Sequence, residues 1–318
     1  MRKALRVGVP AIAACAAAAV LTGAATSASA QITGNLGTTS VAYGSPLAVQ
    51  TINTGFGDAA GNNDSGGGSE LDAAYGTVSG SNLDLFISGN VESNGNHLNV
   101  FVDGGALGQN VLAVPATATM QTMNGSIFSP NFQATWAFDT NDYAGTFYSE
   151  EYTYNGPASL TGGYVGSVPE SSTGIVPTGT LPSGGGYPAF TSLAVNNNNA
   201  STMGLSGTAA NPAAMLATTT GIELQIPLSV IGYTGGPIMV LADVNGGGDS
   251  YLSNQFLPGL AVGTGNLGSG GPYSGVSAGA FNLSNTPGEY FTVTVPEPAS
   301  VGLLGAASLM LFARRRKA

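Results

Sequence analysis

The segment DVNGGGD places three oxygen-bearing side chains, those of Asp243, Asn245 and Asp249, around a run of glycines. Calcium sites in proteins use carboxylate and amide oxygens arranged around a sharp glycine turn. The spacing differs from that of an EF-hand loop, whose terminal glutamate is missing here. The segment therefore predicts either a metal site, with calcium as the candidate cofactor, or a polar β-turn whose glycines adopt positive φ.

A second oxygen-rich region lies nearer the N-terminus. Its glycines, Gly66–Gly68, would let a loop fold around an ion. The oxygen-bearing residues of this region are Asp58, Asn62, Asn63, Asp64, Glu70 and Asp72. The alternative interpretation is a flexible, solvated loop.

The stretch TFYSEEYTY places carboxylates among tyrosines. Because side chains alternate across a strand, a strand here has two different faces. One face carries Tyr148, Glu150, Tyr152 and Tyr154, and the other carries Phe147, Ser149, Glu151 and Thr153. Tyrosine rings beside a carboxylate can stack on a sugar and hydrogen-bond its hydroxyls, which predicts a ligand-binding face. The alternative is that these tyrosines form packing pairs across a half-exposed sheet.

Candidate catalytic groups are scarce. A glycosidase needs two carboxyl groups about 5 to 10 Å apart across a cleft, and Glu150 and Glu151 point to opposite faces of their strand. A serine triad could be assembled only around His97, the one histidine. We expect His97 to be a polar residue of a loop or strand start beside the turn Asn94–Asn96, and we assign no catalytic residue.

The distribution of charge excludes several classes of protein. No lysine or arginine occurs between Gln31 and Val295, whereas 16 of the 17 acidic residues lie there. Nucleic-acid binding needs cations and a phosphate-binding loop of the Walker type needs a lysine. Between Gln31 and Val295 there is one histidine and no cysteine, which excludes multi-histidine zinc sites, cysteine-protease pairs and disulfide scaffolds in this stretch. The acids are too sparse for a halophilic surface and favour a mildly acidic, soluble one, with divalent cations as counterions where acids cluster.

Short alternating segments must position these side chains. NLDLFIS (82–88) and HLNVFVD (97–103) alternate apolar and polar residues, and residues 90–96 are predicted to join them as a hairpin loop. Further strands are predicted at 71–78, 134–139, 146–154, 221–227, 238–244 and 290–295. Helices are predicted at 211–217, where Asn precedes Pro, and at 228–231. The pattern predicts an all-β, loop-rich antiparallel β-sandwich.

Three regions follow from these patterns. Residues 1–30 precede the polar part of the chain, residues 31–294 can form one large extracellular β-sandwich domain, and residues 295–318 form a tail. Residues 157–206, rich in Gly, Pro, Ser and Asn, are predicted to be an insertion or mobile loop within the sandwich.

The first 30 residues are typical of a secretory signal peptide. Arg2, Lys3 and Arg6 precede an apolar run, and small residues lead to a cut by signal peptidase after Ala30. The alternative is a lipoprotein signal that ends at Cys15, but the apolar run continues beyond that cysteine.

The tail begins with a proline-rich element and ends with positive charge. Its apolar run, residues 299–313, would form about 22 Å of helix at ~1.5 Å per residue, shorter than a bilayer core of about 30 Å. A basic cluster follows this run and would hold the end of a transmembrane helix in the cytoplasm. Such a short span predicts a transient membrane anchor.

The order of these parts resembles the PEP-CTERM sorting signal. In that family a membrane enzyme, exosortase, is thought to recognise the Pro-Glu-Pro element and to release or transfer the protein to the cell exterior. The resemblance implies that Pro296, Glu297 and Pro298 are the recognition element, and that Arg314, Arg315 and Arg316 are the stop signal. An ordinary anchor that stays in the membrane is the alternative.

A looser resemblance concerns the sandwich. GIELQIPLSVIG (221–232), followed by IMVLADVN (238–245), resembles the late strands of β-sandwiches related to family 9 carbohydrate-binding modules. It implies a fold more than a ligand, and places no family ligand residue on this chain.

Together these observations predict an exported, non-catalytic protein of the cell surface or extracellular matrix, sorted by exosortase and binding extracellular polysaccharide. The alternatives are a secreted hydrolase whose carboxylates come from distant loops, and a purely structural surface protein.

Overall fold

A computed structural model of the chain describes residues 31–56, 68–157, 159–169, 175–180, 191–197 and 207–296. Several predictions concern residues outside these ranges. They are the signal peptide, the oxygen-bearing residues Asp58, Asn62, Asn63 and Asp64, and the tail from Glu297 onward, with its apolar helix and arginine cluster.

The described chain is built mainly from β-strands. Its strands are β1 (Ala48–Val49), β2 (Glu70–Ser79), β3 (Asn82–Asn90), β4 (Asn94–Asp103), β5 (Trp136–Tyr143), β6 (Thr146–Tyr154), β7 (Leu160–Pro169), β8 (Ile175–Thr180), β9 (Ser192–Asn196), β10 (Gly221–Pro227), β11 (Ile238–Asn245), β12 (Leu252–Leu257) and β13 (Phe291–Val293). One α-helix, α1 (Pro212–Ala217), and three short 3-10 helices, Thr119–Met123, Gly247–Asp249 and Leu267–Ser269, complete the described elements.

The strands form two antiparallel sheets, which confirms the predicted all-β sandwich. In the first sheet the strand order is β1-β2-β3-β10-β9-β8. In the second sheet it is β12-β11-β4-β5-β6-β7, and β13 pairs with β11 on the same edge as β12. Each strand thus presents one face to the opposite sheet and the other face outward.

The core between the sheets follows from the alternation of apolar residues. The inward side chains include Leu83, Leu85 and Ile87 of β3, Leu98, Val100 and Val102 of β4, and Val240, Ala242 and Val244 of β11. All are buried. Burying each such aliphatic side chain contributes about 1.5–3 kcal/mol relative to leaving it exposed.

The outer faces of both sheets are covered as well. Aromatic residues of the second sheet and of the loops above it form a further apolar cluster, which includes Phe101, Phe128, Phe132, Phe256 and Phe281. On the first sheet, the segment before β1 packs Tyr43 against Tyr75 and Phe86. Several acidic residues on these outer faces, among them Asp139, Glu223 and Asp243, are therefore buried.

The predicted hairpin between the segments 82–88 and 97–103 is wrong. β3 pairs with β2 and β10 in the first sheet, whereas β4 pairs with β5 and β11 in the second. The connection crosses the sandwich, and Val91 within it is buried in the core between the sheets. Alternation gives the face of each strand, but it does not give the strand's partner.

The prediction of an insertion or mobile loop at 157–206 is wrong for the described part of this region, which contains β7, β8 and β9; residues 158, 170–174, 181–190 and 198–206 lie outside the described residues. Gly162 and Gly163 of β7 adopt φ values of 149° and 153°. A Cβ added at Gly162 would lie 2.0 Å from the carbonyl oxygen of Glu151. These glycines are needed for close pairing with β6, since only glycine adopts such a conformation readily.

The two predicted helices have different outcomes. α1 begins as predicted, with the side chain of Asn211 accepting a hydrogen bond from the N–H of Ala213 and Pro212 in the first turn. Residues 228–231 form a turn rather than a helix. Among the described residues, no helix has the length and apolar character needed to cross a membrane.

Candidate functional site

A row of polar residues crosses the outer face of the second sheet. The strand register places Asp243 of β11 opposite Asn99 of β4, Asn99 opposite Asp139 of β5, and Asp139 opposite Glu150 of β6. We call these four residues the polar row. The neighbouring row on the same face is Leu241, Phe101, Ala137 and Tyr152, which belong to the outer apolar cluster.

The DVNGGGD segment folds back over the polar row. We call the turn at residues 246–250 the cover turn. It places Asp249 against the outer face of the second sheet, where this residue is fully buried. Asp249 adopts a left-handed φ of 51°, which is uncommon for a residue other than glycine. The hydroxyl of Thr122 donates to the backbone carbonyls of Gly248 and Asp249, so the cover turn is held from above as well.

Asp249 joins His97, Asn99, Asp139 and Asp243 in a buried group that we call the acid cluster. The amide nitrogen of Asn99 donates to Oδ1 of Asp249 at 2.8 Å and lies 3.5 Å from Oδ1 of Asp243. Three oxygens have no hydrogen-bond partner among the described residues: Oδ1 of Asn99, Oδ2 of Asp243 and Oδ2 of Asp249. A buried polar atom left in this state costs about 1–3 kcal/mol.

His97 is the fourth residue of β4, which agrees with the strand-start alternative of the prediction, and its side chain is buried. Its Nδ1 lies 2.7 Å from Oδ1 of Asp139 and 3.7 Å from Oδ2 of Asp249. Its Nε2 accepts a hydrogen bond from the N–H of Gly248 at 3.2 Å. His97 therefore connects β5 to the cover turn.

Burial and mutual repulsion act on the proton affinity of the acid cluster. Burial, followed by the neighbouring charge of Asp249, raises the pKa of Asp243 well above its usual range. Burial, followed by the charge of Asp139, raises the pKa of Asp249. Burial lowers the pKa of His97, but the carboxylates of Asp139 and Asp249 outweigh this effect and raise it to about 9.

Three residues of the acid cluster have ligand atoms close enough together to contact one metal ion. The ligand atoms of His97, Asp139 and Asp249 all lie within 4.8 Å of one another. Asn245, predicted as a metal ligand with Asp243 and Asp249, forms hydrogen bonds with the neighbouring backbone. Its Oδ1 accepts the N–H groups of Gly246 and Tyr251, and its Nδ2 donates to the carbonyl of Gly279. It shapes the cover turn.

At the other end of the polar row, Glu150 lines an open groove of about 350 Å³, which we call the Glu150 groove. Tyr152, Gly162, Gly163 and Tyr164 line it with Glu150, and the loop 115–118 forms its opposite side. Thr119 donates to Oε1 of Glu150 at 2.5 Å, and the hydroxyl of Tyr152 donates to Oε2. Burial, followed by the charge of Asp139, raises the pKa of Glu150.

The predicted ligand-binding residues lie on one face of β6, but only two of them line the Glu150 groove. The four residues are Tyr148, Glu150, Tyr152 and Tyr154. Tyr148 is 40% exposed and does not line the groove, while Tyr152 contributes to its wall. Tyr154 is buried, so its ring offers no surface to a sugar. Its hydroxyl has no hydrogen-bond partner within the described ranges, and burial together with the charge of Asp249 raises its pKa.

His97, Asn99 and Asp139 were missed as site residues in the sequence. They are far from the DVNGGGD segment along the chain, and strand pairing brings them to it. A usable signal was the period of two in HLNVFVD, which places His97 and Asn99 together on the face opposite the apolar residues.

The C-terminal end of the described chain lies against the sandwich. Val295 packs on the core between the sheets. Thr294, Val295 and Pro296 line a largely apolar groove of about 920 Å³ with Leu228 and Tyr233. The first proline of the predicted recognition element thus lies on the domain surface.

Comparison with known proteins identifies the tail. No curated protein and no solved structure matches the chain, so the resemblance of the sandwich to family 9 carbohydrate-binding modules remains a prediction. Among known protein families, the PEP-CTERM protein-sorting motif matches residues 294–317. The chain therefore carries the sorting tail of a PEP-CTERM protein, which implies export to the cell surface through processing by exosortase.

Proposed function

We propose that this exported protein is a non-catalytic component of the cell surface or extracellular matrix, and that it binds extracellular polysaccharide in the Glu150 groove. The observation that carries the proposal is the groove itself, which places tyrosine rings, a carboxylate and a glycine-lined floor side by side. Its volume of about 350 Å³ is at the lower end of the range of small-ligand sites.

The chemistry of the groove suits a sugar. Gly162 and Gly163 carry no side chains, so a flat ring can approach the backbone of β7 closely. Tyr164, directly opposite Glu150 in the strand register, supplies an aromatic face beside this floor. The carboxylate of Glu150 is fixed by Thr119 and Tyr152, and its remaining lone pairs can accept hydrogen bonds from sugar hydroxyls.

The absence of a second carboxylate supports binding rather than cleavage. Among the described residues that line the groove, Glu150 is the one acid. Asp139 is its neighbour in the polar row, but Asp139 is buried and bound to His97. Glycoside hydrolysis needs two carboxyl groups that reach the same glycosidic bond. A secreted hydrolase is the competing function, and its products would be new reducing ends.

Binding is tested with immobilised acidic and neutral polysaccharides and the full chain. We expect retention without cleavage, and we expect Tyr164→Ala to weaken it roughly 2- to 10-fold, the equivalent of one aromatic contact of about 0.5–1.5 kcal/mol. Tyr143→Ala, which changes a tyrosine that is 60% exposed on the same sheet but outside the groove, is the matched control. Equal losses in both variants would contradict the groove assignment, and release of reducing ends would favour the hydrolase.

Sorting is tested separately in the producing cell. Glu297→Ala leaves the apolar run 299–313 unchanged but removes the charged residue of the recognition element. We expect full-length protein to accumulate in the membrane fraction on immunoblots, while Ser300→Ala, just beyond the element, is processed normally. Efficient export of the Glu297 variant would overturn the assignment of Pro296, Glu297 and Pro298 to recognition.

A further inference from the structure

We propose that the acid cluster binds one calcium ion, with oxygens of Asp243, Asp249, Asn99 and Asp139 as its ligands. The ion would lie between the second sheet and the cover turn. This site is distinct from the Glu150 groove, and its occupancy does not depend on whether the groove binds a sugar.

The first argument is the balance of charge. Asp139, Asp243 and Asp249 are all buried, and among the described residues His97 is the one side chain near them that can become a cation. No lysine or arginine exists between Gln31 and Val295 to pair with them. Buried carboxylates must be paired, protonated or bound to a metal, so within this stretch the choices are protons or a metal ion.

The second argument is the set of oxygens without partners. Oδ1 of Asn99, Oδ2 of Asp243 and Oδ2 of Asp249 are fully buried and accept no hydrogen bond from the part of the chain that the structure describes. They belong to three residues that the amide of Asn99 already holds together. Each of these oxygens is a suitable calcium ligand, and a bound cation would satisfy them together.

The third argument concerns His97. The N–H of Gly248 points at Nε2 and requires a lone pair there, so the ring is neutral in this geometry, with its proton on Nδ1 facing Asp139. A neutral ring supplies no positive charge to the buried carboxylates beside it. A cation bound among these carboxylates would supply that charge and leave both hydrogen bonds of His97 in place.

The same contacts select the class of ion. Both nitrogens of His97 are engaged, one by Asp139 and one by Gly248, which makes His97 a positioning residue and leaves oxygen donors for the metal. Carboxylate and amide oxygens are the ligands of hard cations such as calcium, whereas zinc prefers nitrogen and sulfur.

The test begins with the full chain, stripped with EDTA and then titrated with calcium. We expect one calcium per chain by elemental analysis after gel filtration. We also expect calcium to raise the melting temperature by about 5–10 °C at saturation, because it binds the native state selectively. No calcium above the buffer blank, or an unchanged melting temperature, would overturn the proposal.

Two variants and a control separate ligation from general damage. Asp243→Asn and Asp249→Asn each replace a crowded, buried carboxyl group by a neutral amide of similar size, so in EDTA they should be as stable as the parent or more stable, while calcium binds at least about 10-fold more weakly. Asp84→Asn is the matched control, since Asp84 is a buried aspartate of the first sheet whose oxygens accept from Ser79 and Gln225.

The control should keep the full calcium response, and an equal loss of response in Asp84→Asn would overturn the site. Unchanged calcium affinity in both cluster variants would do the same. Stoichiometric binding of zinc, with none of calcium, would overturn the choice of ion.

Discussion

The outer faces of the two sheets bury carboxylates in opposite ways. On the first sheet, Glu223 is fully buried and accepts four hydrogen bonds. Its donors are the N–H groups of Thr33 and Gly34 and the hydroxyls of Thr39 and Tyr43. On the second sheet, Asp243 and Asp249 share the amide of Asn99 and keep oxygens without partners.

This difference shows two solutions to one problem. A domain without lysine or arginine has no cationic side chain except His97 with which to pair a buried acid. Where the chain can surround an acid with hydrogen-bond donors, as the segment before β1 does for Glu223, no cation is needed. Where the donors are too few, as in the acid cluster, the site is suited to a metal ion.

The largest effect is expected on the first sheet. Glu223→Ala removes the acceptor of four hydrogen bonds and leaves two backbone N–H groups of the N-terminal segment without it. We expect a loss of about 4 kcal/mol in the free energy of unfolding, measured by denaturant titration, with faster proteolysis near Thr33. Glu223→Gln, of similar size, should lose less. A loss below about 1 kcal/mol would show that these donors do not stabilise the face.

A second prediction concerns Glu289, a carboxyl group whose pKa is raised by burial alone, without the neighbouring carboxylates of the acid cluster. Glu289 has an oxygen without a partner, and burial raises its pKa to about 7. Because the native state then holds a proton that the unfolded state has lost, this residue's contribution to stability should fall as the pH rises from about 4.5 to 7.

The measurement is the free energy of unfolding of the parent and of Glu289→Gln at pH 5 and pH 8. The parent should lose about 2 kcal/mol more than the variant over this interval, since all other titrating groups are common to both. Parallel pH profiles would contradict the prediction and would indicate that Glu289 is solvated.

The smallest effect is expected at Tyr154. Its hydroxyl is buried beside the acid cluster without a partner, so Tyr154→Phe should be neutral or stabilise the fold by up to about 1 kcal/mol. Thermal unfolding in EDTA measures this. A clear destabilisation would mean that the hydroxyl has a partner, and would weaken the contrast between the two faces.

The sequence pattern predicted local structure well where side chains alternate. β6 and β10 begin and end at the predicted residues, Thr146–Tyr154 and Gly221–Pro227, and the face that Glu150 shares with Tyr152 follows from the period of two. β7 was missed because its glycines resemble a linker, although their conformation is what permits pairing with β6.

The acid cluster was only half predictable. Asp243 and Asp249 are close in sequence, so their proximity could be expected, but Asp139 and His97 reach them through pairings between distant strands. Periodicity carries no information on which strands pair, and it therefore also gave the wrong connection between β3 and β4. The lack of basic residues, in contrast, was readable at once and determines the electrostatics of the site.

The position of β13 has a mechanical consequence. Phe291–Val293 pairs with β11 through three residue pairs, and the sorting motif begins at the next residue. Because no linker separates the tail from β13, a pulling force on the tail acts directly on the pairing of β13 with β11. β11 is held on its other edge by seven residue pairs to β4. We therefore expect β13 to detach from β11 at a lower force than the one that unfolds the two sheets.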